Sequence, residues 1–117
     1  MERRDTECIF CRIVSGEIPG DTVYENETVV AFRDIQPLAQ THVLIVPREH
    51  VSSVSDLRDD DGAIAGALLL AARDVAMQEG LPENGYRVVT NIGPWAGQTV
   101  DHLHLHVLGG RQLGPMG

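Results

Sequence analysis

Three of the five histidines of this 117-residue chain lie at alternate positions, in the stretch DHLHLHVLGGR. Leucine and valine follow His102, His104 and His106 in turn. Imidazole is neutral near pH 7, where it can accept or donate a proton, attack an electrophile or bind a metal. The three histidines could therefore bind a metal, act on a substrate, or cover the solvent-exposed face of a strand.

The alternation predicts a strand whose three histidines share one face, about 6.6 Å from one to the next. A zinc–nitrogen bond is only about 2.1 Å long, so one metal does not comfortably bind all three rings of such a strand. One ring can still bind a metal while the next faces a substrate. A solvated face would normally mix threonine, glutamate, lysine and arginine, and we therefore favour a functional role for the row.

The charged residues exclude several kinds of chemistry. The nine basic residues are all arginine, and the net charge is -8. Without lysine the chain has no P-loop lysine, Schiff-base lysine or lysine general base. The arginines are scattered and form no basic stripe, so we expect no nucleic-acid partner. A base or nucleophile must come from histidine, cysteine, an acid or a hydroxyl.

The two cysteines, Cys8 and Cys11, are separated by two residues. This spacing makes a poor disulfide staple and is typical of half a zinc site, with two ligands still to be found. A redox dithiol and two buried thiols without a role are the alternatives.

The apolar runs are too short for a signal peptide or a membrane span, so we expect a cytoplasmic protein without a membrane partner.

Apolar spacing and turn residues predict the elements that position these side chains. The length fits a single domain, 1–117. A short helix begins near residue 7, and one long helix covers 56–80. The predicted strands are 22–25, 28–33, HVLIVP, YRVVTNI and HLHLHVL. Because strands outnumber helices without alternating with them, we expect an α+β fold, an antiparallel sheet with helices on one side.

Four segments resemble the histidine triad family of nucleotide-binding proteins, in particular the Hint-like branch of nucleoside phosphoramidate hydrolases. In order, they are CIFCRIVSGEIP, VAFRDIQPLAQTHVLIVPREH, TNIG and GQTVDHLHLHVLGGR. The resemblance implies a five-stranded antiparallel sheet with one short and one long helix, paired into a ten-stranded sheet in a homodimer. It also implies a hydrolase for purine mononucleotide-type ligands, such as nucleoside 5'-phosphoramidates, that needs no catalytic metal.

The resemblance also implies roles for single residues. His104 corresponds to the nucleophile, which attacks the α-phosphorus and forms a nucleotidyl-histidine intermediate. His106 would hydrogen-bond the phosphate or the leaving group. His42 would help to hold His104 in place without contacting the substrate itself. Asp34 would accept hydrogen bonds from both ribose hydroxyls, because an ionised carboxylate only accepts. Phe10, Phe32 and Ile35 would form the slot for the base.

The loop before the triad suits a phosphate. A glycine lets backbone donors approach closely, and neutral amide and hydroxyl groups add further donors. The residues concerned are Asn91, Gly97, Gln98 and Thr99. Neutral donors are adequate for a single negative charge and poor for a triphosphate, so substrates at the monophosphate level are favoured.

The family resemblance also supplies partners for the two cysteines. It implies a structural zinc bound by Cys8, Cys11, His50 and His102.

Two other functions stay open beside P–N hydrolysis. One is a dinucleoside polyphosphate hydrolase, against which the lack of extra cations argues. The other is a nucleotide- or partner-binding protein in which turnover is incidental, and the sequence does not separate this from an enzyme.

Overall fold

The computed structural model describes residues 3–116, which form one sheet with two helices. The strands are Thr22–Glu25 (β1), Val29–Arg33 (β2), Thr41–Pro47 (β3), Arg87–Val89 (β4) and Leu105–Gly109 (β5). The helices are Ile9–Val14 (α1) and Gly62–Gln78 (α2), with 3-10 turns at Val54–Asp56 and Pro94–Ala96. All pairings are antiparallel, in the order β1-β2-β3-β5-β4. The predicted α+β fold is confirmed.

The two central strands β2 and β3 are buried on both faces. Val29 and Ala31 contribute to the core under α2, whereas Val30 and Phe32 pack with Phe10 of α1. The helices therefore cover opposite faces of the sheet, and the expectation that both lie on one side is wrong. The physical reason is that β2 and β3 are continuous apolar runs, which need cover on both faces.

The long helix is shorter than predicted, because α2 begins at Gly62 and not near residue 56. Leu57 is extended, with φ −65° and ψ 140°, so no helix passes through it. The carboxylate of Asp61 accepts from the Arg3 guanidinium at 2.8 and 3.1 Å and from the Arg58 N–H at 2.8 Å. Within residues 3–116, neither helix has the length and apolar character needed to cross a bilayer.

The triad segment is only partly regular strand. β5 starts at Leu105, so His102 and His104 precede it, in contrast to the predicted strand over the whole motif. The predicted alternation nevertheless holds. Leu103, Leu105 and Val107 belong to the core under α2, and the histidines face the side that α1 covers.

Candidate active site and metal centre

A cleft of about 960 Å³ opens beside the second and third histidines of the triad. One wall comes from α1, the floor from β2 and β3, and the rim from the loop between those strands. The lining includes Ile9, Phe10, Ile13, Phe32, Arg33, Asp34, Ile35, Leu38, His42, Leu44, Thr99, Val100, His104 and His106. Most of these side chains are apolar.

His104 is held so that one ring nitrogen keeps a free lone pair. Its Nδ1 lies 2.7 Å from the carbonyl oxygen of His102. Since a carbonyl can only accept, Nδ1 carries the proton and Nε2 does not. The Phe10 ring stands edge-on to the imidazole at a centroid distance of 5.2 Å, and the side chain is buried. Nε2 of His104 thus keeps a lone pair that could attack an electrophile without a separate base.

His42 and His106 are linked by a hydrogen bond whose direction follows from the backbone. The Leu38 N–H donates to His42 Nδ1 at 3.1 Å, so neutral His42 carries its proton on Nε2. That nitrogen lies 2.9 Å from His106 Nδ1 and donates to it. His106 must therefore keep its own proton on Nε2, the nitrogen that remains for the cleft. His42 therefore contacts His106, and not His104 as expected from the family resemblance.

Burial keeps both of these histidines neutral near pH 7. It lowers the pKa of His42, and it lowers the pKa of His106 to about 4, with the nearby rings of His104 and His42 acting in the same direction. A neutral imidazole with one N–H is a hydrogen-bond donor and not a charged acid. His106 consequently offers the cleft a neutral donor.

Asp34 has spare acceptor capacity at the rim of the cleft. Its Oδ1 accepts from the Gln36 N–H at 2.9 Å, and its Oδ2 lies 3.4 Å from His42 Nε2. An ionised carboxylate has about four acceptor positions, so at least one remains for a ligand hydroxyl.

The loop that was expected to bind phosphate uses most of its polar groups internally. Gln98 accepts from the Gly93 N–H at 2.9 Å and donates to the carbonyls of Ser52 and Val100 at 2.7 and 3.1 Å. Both amide hydrogens donate to backbone carbonyls, so Gln98 stabilises the loop and has no free amide hydrogen for a ligand. Among the described lining residues, Thr99 comes from the predicted phosphate loop, whereas Asn91, Gly97 and Gln98 do not line the cleft.

Cys8, Cys11, His50 and His102 form a second cluster, whose ligand atoms lie within 4.8 Å of one another. Cys8 is the N-cap of α1 and its sulfur accepts from the Cys11 N–H, so the start of the helix brings both thiols together. Nδ1 of His102 lies 3.4 Å from Cys8 Sγ, and Nδ1 of His50 lies 3.4 Å from Cys11 Sγ.

The hydrogen bonds of His102 suit a metal ligand. Its Nε2 lies 2.9 Å from the Pro47 carbonyl and must donate to it, which leaves the Nδ1 lone pair facing the thiols. Burial raises the pKa of the Cys11 thiol and lowers that of His102 to about 4. Two thiols and two imidazoles in a closed arrangement match the four-ligand sites that hold structural zinc.

The sequence pointed to Phe10, Phe32 and Ile35, which do line the cleft, but not to the rest of its apolar lining or to the role of Leu38. Ile9 and Ile13 were predicted as part of the helix, but periodicity does not show that their face would border a cleft. Leu38 acts through its backbone N–H, and no side-chain pattern signals that role.

An antiparallel sheet with alternating histidines beside a cleft, and a cysteine–histidine cluster behind them, defines a histidine triad protein. A family model for the HIT domain matches residues 15–113, and the chain belongs to this family, as predicted.

Similar proteins agree with this assignment. The chain is 46% identical over 110 residues to the purine nucleoside phosphoramidase of Escherichia coli K12, covering 94% of this chain and 92% of that protein. It is 49% identical over 111 residues to the 14 kDa zinc-binding protein of Zea mays, covering 93% and 86%. A HIT family hydrolase from Legionella pneumophila has a TM-score of 0.89 at 48% identity, covering 92% and 96%. The chain is a hydrolase of the histidine triad type.

Proposed function

We propose that this protein hydrolyses the P–N bond of purine nucleoside 5'-phosphoramidates through a nucleotidyl intermediate on His104. The observation that carries the proposal is the 2.7 Å contact of His104 Nδ1 with the His102 carbonyl, which leaves Nε2 unprotonated beside the cleft. The name of the Escherichia coli relative, a purine nucleoside phosphoramidase, supports this substrate class.

The reaction has two displacement steps. First, the lone pair of His104 Nε2 forms a bond to the α-phosphorus and the P–N bond breaks. Its electron pair stays on the amine nitrogen, which takes a proton from solvent. Second, a water oxygen bonds to phosphorus, the bond to Nε2 breaks with its pair returning to His104, and the water proton passes to solvent. The products are a free amine and a nucleoside monophosphate.

The proposed ligand fits the charges of the cleft. Arg33 also lines it, but its guanidinium is paired with Glu79 at 2.8 Å. His106 supplies a neutral N–H, which is adequate for the single charge of a phosphoramidate and poor for a polyphosphate. Asp34 would accept from the ribose hydroxyls, and Phe10 and Phe32 would contact the base.

We propose that Cys8, Cys11, His50 and His102 bind one structural zinc. The inward lone pair of His102 Nδ1 and the two thiols support this, as does the name of the maize relative. A zinc held by these four residues would tie α1 to the sheet, and four protein ligands would leave no open position for a substrate. In this proposal His102 positions the nucleophile as well, because its carbonyl anchors His104.

We further propose a homodimer that joins two sheets at β4 into ten strands. β4 is a sheet edge, where unpaired backbone groups can accept another strand, and Val88 on it is 38% exposed. Leu69, Leu70 and Met77 of α2 are also exposed. Light scattering at micromolar concentration should give twice the chain mass of 12.8 kDa, and a single-chain mass would contradict the dimer.

The substitution His104→Asn tests the proposed mechanism. It should abolish turnover of a fluorogenic adenosine phosphoramidate while calorimetry still detects AMP binding, because asparagine is polar but lacks the nucleophilic nitrogen. Asp101→Asn, an exposed neighbour, is the control and should keep wild-type turnover. A His104→Asn protein that retains a tenth of wild-type kcat would exclude the covalent route. Wild-type turnover at background would instead indicate a binding protein.

A further inference from the structure

The loop 34–40 carries Leu38, whose N–H decides where the proton of His42 resides. Two apolar side chains of this loop do little to hold it, since Ile35 is 96% and Leu38 69% exposed. It is held by the Asp34 carboxylate, which accepts from the Gln36 N–H, and by polar contacts of the Leu38 backbone. The Leu38 N–H donates to His42 at 3.1 Å, and the Leu38 carbonyl accepts from the Arg111 guanidinium at 2.8 Å.

Arg111 reaches this loop because the chain turns tightly after β5. Gly110 has φ +97°, and a Cβ at this position would come within 2.8 Å of the Gln40 Cβ. The segment that leaves β5 therefore passes directly against the end of the loop. The Arg111 guanidinium donates to two carbonyl oxygens, that of Leu38 and, at 3.0 Å, that of Gln112.

The position of Leu38 matters because the two hydrogen bonds that link it through His42 to His106 are directional. With the Leu38 N–H in place, His42 must donate from Nε2 and His106 must accept on Nδ1. If Leu38 moved away, His42 could carry its proton on Nδ1 instead. Its Nε2 would then accept from His106 Nδ1, and His106 Nε2 would present a lone pair to the cleft, where a phosphoryl oxygen needs a donor.

We propose that Arg111 is a positioning residue for the hydrolase, which keeps the Leu38 N–H on His42 and thereby keeps the His106 proton directed into the cleft. This rests on the proposed function for its effect on turnover. The effect on the histidine tautomers is independent of any substrate.

The test combines nuclear magnetic resonance with kinetics on the purified full chain. Long-range ¹H–¹⁵N spectra of histidine-labelled protein report which ring nitrogen carries the proton. We expect Nε2–H for both His42 and His106 in the wild type, and a mixture of tautomers in Arg111→Ala. The kcat for the adenosine phosphoramidate should fall about tenfold in Arg111→Ala, on the scale of one lost charge-assisted hydrogen bond.

Matched variants separate positioning from general stability. Arg87→Ala also removes an arginine that donates to a backbone carbonyl, that of Gly114 at 2.6 Å, and it should leave both tautomers and kcat unchanged. Arg111→Lys keeps one donor and should recover most of kcat. If Arg111→Ala does not fold, Arg111→Met removes the donors and keeps the apolar stem.

Two results would overturn the proposal. One is a folded Arg111→Ala or Arg111→Met protein with wild-type tautomers of His42 and His106. The other is the same tautomer mixture in Arg87→Ala. A wild-type protein that does not turn over the phosphoramidate would instead contradict the proposed function, and the tautomer spectra would still decide the role of Arg111.

Discussion

Among residues 3–116, two clusters of possible metal ligands each bring their ligand atoms within 4.8 Å of one another. The sulfur cluster is Cys8, Cys11, His50 and His102, and the carboxylate cluster is Asp34, His42 and His106. Geometry alone would make both of them metal sites. The two clusters differ in the kind of backbone group that hydrogen-bonds to one histidine of each cluster. The Pro47 carbonyl accepts from His102 and leaves an inward lone pair, whereas the Leu38 N–H donates to His42 and leaves an inward proton.

The backbone partner thus determines what each cluster can hold. In His102, a backbone carbonyl accepts from Nε2, so Nδ1 keeps a lone pair that can bind a metal, as is common for metal-bound histidines. In His42, a backbone N–H donates to Nδ1, so Nε2 carries the ring proton and donates a hydrogen bond to His106. In the proposed function, the sulfur cluster therefore binds a metal and the carboxylate cluster directs hydrogen bonds toward a substrate.

The largest expected effect comes from removing a ligand of the sulfur cluster. Cys11→Ser should lose the bound zinc and at least about 4 kcal/mol of unfolding free energy, roughly 15 °C in Tm, because metal binding contributes directly to folding. Metal analysis of freshly purified protein and thermal unfolding measure both.

His42→Gln in the carboxylate cluster is the matched control and should keep one zinc per chain. Substoichiometric zinc in the wild type, with an unchanged Tm in Cys11→Ser, would contradict the assignment of the sulfur cluster.

The second effect is a pH dependence of stability due to His106, which Asp34, His42 and His104 face. Its pKa is about 4 in the folded chain against an ordinary value of 6.5. The unfolded chain therefore binds more protons between these values, and stability falls as the pH drops from 6.5 toward 4. At about 1.4 kcal/mol per pKa unit, the loss is about 2–3 kcal/mol.

Urea unfolding at several pH values should show this loss in the wild type and a flatter curve in His106→Gln. Because both proteins carry the same sulfur cluster, the difference between their curves reports on His106 and its hydrogen-bonded partner His42. Parallel curves would mean that His106 titrates normally and is not held neutral.

The family resemblance implies which histidines group together. Periodicity predicts the sheet and both helices, because alternation and helical spacing reflect burial of side chains. It does not carry the direction of a hydrogen bond to a backbone group. The contact of His42 with His106, 64 residues away, and the engagement of Gln98 with Ser52 arise from tertiary structure. The start of α2 was missed for a similar reason, since Asp61 pairs with Arg3.

The third effect concerns the free acceptor of Asp34, which we assign to a ribose and not to a metal. AMP should bind the wild type about tenfold more tightly than 2'-deoxy-AMP, since a hydrogen bond to a charged acceptor contributes about 1.5–3 kcal/mol. Asp34→Ala should remove the difference in calorimetry. Asp21→Asn, another carboxylate at the cleft, is the control and should retain it. Equal affinities for the two nucleotides in the wild type would remove this role from Asp34.

The smallest expected effect is the response to excess metal, where we predict almost none. To bind Zn²⁺ in the carboxylate cluster, His42 would have to free its Nε2 lone pair. It could do so only by moving its proton to Nδ1, where it would oppose the Leu38 N–H at 3.1 Å, or by losing the proton altogether. Either change is costly, although the donor set itself suits a transition metal. Titration of zinc-loaded protein with a further equivalent of Zn²⁺ should therefore show no second tight site and no loss of AMP binding. A second equivalent that binds at micromolar concentration, competes with AMP and disappears in Asp34→Ala would show that the Leu38 N–H does not keep a proton between His42 and His106.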